Sequence, residues 1–231
     1  MKILLTIISV AITSILLISS NKILAKINFT FHENVFLNEM FKYQLFAMVL
    51  AFILLIITLQ ISPESKDLLR FGNIQSVASK EKWLGINGIS TWQKNGIQLL
   101  FFISIPTAIF MFLGVNYTNS FSNFRLYSIP IILLFSITNS FSEEIIYRFA
   151  INGNLAKIAA PKTIFLISGI MFGFPHYWGF PTGLTGVIMA GLLGYILSKA
   201  THETQGLGIC WGIHFVQDVI IFSAVLMMNV K

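Results

Sequence analysis

Seven apolar stretches divide this sequence, each close to the ~20 residues a helix needs to cross a bilayer. They lie at 3–20, 43–61, 96–114, 127–149, 162–178, 183–199 and 207–228. In hydrocarbon every backbone amide needs an internal partner, so such stretches fold as helices. The expected fold class is all-α, a polytopic membrane helical bundle of about seven to eight transmembrane helices. Composition agrees: 10% of the 231 residues are charged and 55% are hydrophobic, whereas a soluble domain is about 25% charged. Pro130, Pro175 and Pro181 mark expected kinks or helix ends.

The first stretch, "ILLTIISVAITSILLISS", has two readings: a retained helix, or a cleaved signal with Lys2 as its basic flank. Its apolar core is long and no small-x-small site follows at once, which favours a retained helix. Lys and Arg set the expected orientation. With the N-terminus inside, nine fall in inner segments (Lys2, Lys66, Arg70, Lys80, Lys82, Lys94, Lys157, Lys162, Lys199) and five in outer ones (Lys22, Lys26, Lys42, Arg125, Lys231). The cytoplasmic side of a plasma-membrane protein holds the excess. Residues 1–95 then comprise N-terminal transmembrane helices and a cytoplasmic linker at 62–95. Residues 96–231 form a C-terminal bundle with the chemistry-bearing motifs at 127–222. Within the linker, "KEKWLGINGISTWQK" is expected along the interface, with Trp83 and Trp92 at headgroup level. The net charge of +6 is accounted for by these loops and anionic lipid, and no nucleic-acid partner is expected. Cys210 is the single cysteine, which leaves no intrachain disulfide and no CxxC metal site.

Ionisable groups inside spans are costly and mark function or pairing. They are Glu143, Glu144 and Arg148 in the fourth stretch, His176 in the fifth, and His214 and Asp218 in the seventh. The second and third stretches are nearly free of charge and read as lipid-facing scaffold. Glu144 and Arg148 are i,i+4 and can pair. Glu143 points about 100° away and stays free. His214 and Asp218 are also i,i+4 and share a face. The fourth and fifth stretches form a hairpin turning near "KIAAPK". Glu143 and His176 each lie about 16 residues from that turn, or ~24 Å of helix, and so at equal depth. His214 sits nearer its own turn, by an amount a tilt or a long side chain absorbs. Three helices can thus bring a carboxylate, an imidazole, and an imidazole with an acid to one cavity. Such a set activates water and stabilises an oxyanion. Two imidazoles and a carboxylate (Glu143, His176, His214) also suit a divalent metal such as zinc. There is no HExxH. His202, Glu203 and His32 fall in expected loops and read as solvated surface.

The motifs resemble a known family. "EEIIYR" is similar to the EExxxR signature of the CPBP family, which comprises CAAX prenyl proteases and bacteriocin-processing or self-immunity (Abi) proteins. "FGFPH" resembles its FxxxH, and "HFVQD" its His followed four residues later by Asn or Asp. The resemblance spans about 128–222. It implies an intramembrane endopeptidase in which Glu143 activates water and His176 helps to bind it. His214 and Asp218 line the oxyanion side, and Glu144 and Arg148 orient the site. It leaves metal dependence open, and implies a membrane-associated peptide or protein as substrate. Three positions depart from the pattern. Phe149 stands where a glycine often follows the arginine, Asp218 replaces the commoner Asn, and Pro175 directly precedes His176. An ionised carboxylate cannot donate to an oxyanion, so the part played by Asp218 stays open. The alternatives are a non-catalytic bacteriocin self-immunity or scaffold protein, and a proton-coupled carrier, for which no inverted repeat is found.

Overall fold

The computed structural model describes residues 1–179 and 182–229. Pro181 and Lys231, named above as a helix end and an outer charge, lie outside the described residues. Among the described residues there is no strand, only two isolated antiparallel bridges, Val77 with Thr91 and Glu81 with Ile86. The helices are α1 (Lys2–Ile18), α2 (Ser20–Leu24), α3 (Val35–Ile61), α4 (Trp92–Tyr117), α5 (Ile129–Glu144), α6 (Ala150–Leu155), α7 (Pro161–Gly173), α8 (Gly183–Thr204) and α9 (Gly208–Asn229). A π-helical turn, Ile145–Phe149, joins α5 to α6, and a 3-10 turn, Phe174–Tyr177, ends α7.

Among the described residues five spans are long and apolar enough to cross a membrane: Val35–Ile61, Trp92–Tyr117, Leu126–Leu155, Gly183–Thr204 and Gly208–Asn229. The chain is an integral multi-pass membrane protein. The expected seven included α1 and α7, which are shorter. Helix α3 begins eight residues before its apolar stretch because the Asn34 side chain caps it, accepting from the Leu37 amide at 3.1 Å. Pro130 and Pro161 sit in first turns, where a missing N–H is harmless. Pro175 lies in the 3-10 turn that closes α7. Pro106 lies inside α4, a position the sequence reading passed over.

The helices run alternately up and down, giving the bundle two distinct ends. At one, Leu37 of α3, Ile132 of α5 and Phe222 and Leu226 of α9 pack together, and Met111 and Val115 of α4 meet Ala224 and Met227 of α9. At the other, the segment 62–95 folds over the turn between α8 and α9. Its backbone accepts from Leu207 and Gly208 and donates to Thr204. The approach is so close that a Cβ on Gly206 would lie 2.4 Å from Gly72. Ala78 and Ile86 are buried here with Leu99, Leu197 and Ile213.

This cap corrects the readings of Trp92, His202 and Glu203. Trp92 is fully buried rather than at headgroup level, and its Nε1 donates to Glu203 at 2.9 Å. Trp83 is 54% exposed, packed against Tyr195. His202 and Glu203 belong to the last turn of α8 instead of a loop. Glu203 also accepts from the Ser79 amide and hydroxyl and pairs with the buried Lys199 at 2.6 Å. A sequence reading misses this because the partners lie more than a hundred residues apart. His32 is exposed, as expected.

The two halves of the chain share one core. Val10, Ala47, Leu50 and Leu54 pack with Ile145–Phe149 and with Phe165 and Phe172. Helices α7 and α8 meet through glycines, as small residues allow in a membrane. A Cβ on Gly173 would stand 2.6 Å from the Val187 carbonyl oxygen and 3.0 Å from the Gly191 Cα. Gly173→Ala is therefore expected to cost ~1–3 kcal/mol through overpacking and to lower the thermal midpoint in detergent. An unchanged midpoint would show that the two backbones are not this close.

Candidate active site

Five of the six motif side chains meet at the junction of α5, its π-helical turn and α9. His214 is the centre. Its Nδ1 lies 2.7 Å from Glu144 Oε1 and its Nε2 3.2 Å from Glu143 Oε2. Asp218 Oδ1 is 3.7 Å from the same Nε2. Arg148 Nη1 reaches Glu144 Oε1 at 3.4 Å. The i,i+4 pairing expected of Glu144 and Arg148 is present, and Glu144 also holds His214, which the spacing alone did not show. A π-helical turn adds a residue to one helical turn and is frequent at functional sites. Here it carries Tyr147, Arg148 and Phe149 inward, all buried. Phe149, which stands where a glycine often follows the arginine, is buried in the core beside the site.

Helical phase separates the two glutamates. Glu143, with His176, His214 and Asp218, lines a cavity of about 1100 Å³; Glu144 and Arg148 do not. The Glu143 side chain is 13% exposed, against 1% for Glu144 and 0% for Arg148. His176 reaches the same cavity from the 3-10 turn after α7, with Nδ1 2.8 Å from the Phe172 carbonyl oxygen. A carbonyl only accepts, so Nδ1 carries the hydrogen, and in neutral His176 Nε2 is an acceptor.

Phe172, the first residue of "FGFPH", organises these groups. Its ring lies 4.7 Å from the His176 ring and 5.5 Å from the His214 ring. The Arg148 guanidinium sits over its face, 4.0 Å from the centroid. A desolvated cation gains from such a face, and the contact supplements the single carboxylate partner of Arg148. Removing one member of a buried ion pair costs ~3–5 kcal/mol. Arg148→Met leaves the buried Glu144 carboxylate with His214 alone, so folded yield and detergent midpoint are expected to fall sharply. A variant as stable as wild type would contradict the brace.

Two further cavity residues, Asn139 and Tyr147, flank Glu143 on the same helical face. Asn139 lies one turn before Glu143, and its Nδ2 donates to Asp218 Oδ2 at 3.1 Å. Tyr147 lies one turn after, and its hydroxyl is 3.0 Å from Ser14 Oγ of α1. The series Asn139, Glu143, Tyr147 at i, i+4, i+8 was a usable signal. Tyr43 of α3 also lines the cavity, so that helix is more than lipid-facing scaffold.

The set Glu143, His176 and His214 does not fit a metal as arranged. Among the described residues no group of three or more His, Cys, Asp or Glu converges on a metal-sized point. Both nitrogens of His214 face carboxylates, and Nδ1 of His176 is engaged by backbone.

Residues 125–220 match the family model described as type II CAAX prenyl endopeptidase Rce1-like. Over that stretch the chain is similar to that family. The Rce1-like region covers less than half of the chain but contains all six motif residues, Asn139, Phe172 and Tyr147. The match agrees with the resemblance of the motifs to the CPBP/CAAX intramembrane protease family. No curated protein and no solved structure matches the chain.

Proposed function

We propose that the protein is an intramembrane endopeptidase of the CAAX-protease type, hydrolysing a peptide bond of a membrane-associated peptide or protein with water activated by Glu143. One observation carries the reading: of the two adjacent glutamates, Glu143 faces the cavity while Glu144 is enclosed with Arg148.

The Glu143 carboxylate takes a proton from water as the oxygen attacks the scissile carbonyl. His176, with Nδ1–H given to backbone, offers Nε2 as an acceptor that holds the water's other hydrogen. The C–N bond then breaks, and Glu143 returns the proton to the leaving amine. Arg148 fixes Glu144, and Glu144 fixes His214 through Nδ1, which keeps Nε2 beside Glu143.

Asp218 accepts one hydrogen of the Asn139 amide, and the second hydrogen remains for the substrate. Asn139 thus supplies the donor that the Asp218 carboxylate cannot, and becomes the oxyanion-binding residue. No step is routed through a metal. The lipid bilayer is the protein's medium, and the plasma membrane with the N-terminus cytoplasmic is its proposed setting. The test is cleavage of quenched membrane-peptide substrates by purified protein, wild type beside Glu143→Gln. Equal rates would end the reading.

A further inference from the structure

The cavity has a direction. Its floor is Glu143, Asp218 and His214, and its lining continues to Asn21 after α1, Asn34 and Glu39 at the start of α3, and Asn229 at the end of α9. All of these upper residues belong to one end of the bundle. No residue of the 62–95 cap lines the cavity, and the cap closes the opposite end. The site is therefore approached from the end away from the cap.

Charge distinguishes the same two ends. Nine Lys and Arg residues lie at the cap end: Lys2, five in 62–95, Lys157, Lys162 and Lys199. Four described ones, Lys22, Lys26, Lys42 and Arg125, lie at the mouth end. The end richer in Lys and Arg stays cytoplasmic. We propose that the cavity opens to the extracytoplasmic face and that the substrate is a peptide presented from that side. Such a peptide meets a polar rim of Asn21, Asn34 and Glu39, then apolar walls including Met40 and Phe110, before reaching Glu143. The peptide rests on the protease reading; the sidedness does not.

Labelling tests the sidedness without any activity. Cys210 is fully buried, so the wild-type chain gives a silent background. Tyr117, 88% exposed, and Glu33, also exposed, report the mouth end; exposed Gln75 reports the cap. In intact cells a membrane-impermeant maleimide is expected to label Tyr117→Cys and Glu33→Cys. Gln75→Cys is expected to react only after permeabilisation. Labelling of Gln75→Cys in intact cells, alone or with the others, overturns the proposal. With an impermeant quenched peptide, right-side-out vesicles are expected to cleave and sealed inside-out vesicles to be silent. Cleavage by inside-out vesicles alone also overturns the sidedness. Absence of cleavage in both vesicle types would instead end the protease reading, and the labelling pattern would then decide the sidedness.

Discussion

Glu143→Gln is expected to reduce cleavage by about 10²–10⁴-fold, the usual contribution of a positioned general base. The substitution keeps the shape of the side chain and removes only its capacity to take a proton. Because Glu143 borders the cavity and is 13% exposed, the variant is expected to fold and to keep its detergent midpoint. KM should change little, since the lost interaction belongs to the transition state. The contrast with Glu144→Gln is diagnostic. That variant weakens the charge contact with Arg148 and the hold on His214 Nδ1, so its loss of activity should come with a loss of stability. Equal stability losses at the two positions would show that helical phase does not divide their work.

The second large effect concerns the exchange of Asn139 and Asp218. Asn139→Asp removes the amide donor and sets a second carboxylate 3.1 Å from Asp218. Loss of one oxyanion donor typically lowers kcat by ~10²–10³-fold. Asp218→Asn alone keeps the Asn139 amide donor and is expected to be mild. The double variant Asn139→Asp with Asp218→Asn restores one amide and one carboxylate with their places reversed. It is expected to recover much of the kcat lost in Asn139→Asp, with KM nearly constant throughout. If the double variant is no better than Asn139→Asp, the amide is not a donor to the reaction.

What could be read from the sequence was what local spacing determines. Apolar length placed the helices, and i,i+4 spacing found the Glu144–Arg148 pair and set Glu143 apart from it. Equal counts from the hairpin turn placed Glu143 and His176 on one cavity. What escaped depends on distant partners or on neutral groups. Asn139 carries no charge and so did not stand out in an apolar helix. The π-helical turn at Ile145–Phe149 reflects packing against α1, α3 and α7 rather than any local signal. The cap was invisible because Trp92 and Glu203, or Arg70 and Leu207, recognise one another only in the finished fold.

That cap bears on how the protein is made. Residues 70–92 leave the ribosome long before Lys199, Glu203 and the turn at 204–208 that they grip. Until α8 and α9 have been inserted, Ser79 and Trp92 lack the acid they bind. The cap therefore closes as one of the last events of biogenesis. A chain truncated before α8 would leave it open, giving quality-control proteases a visible mark of incomplete insertion.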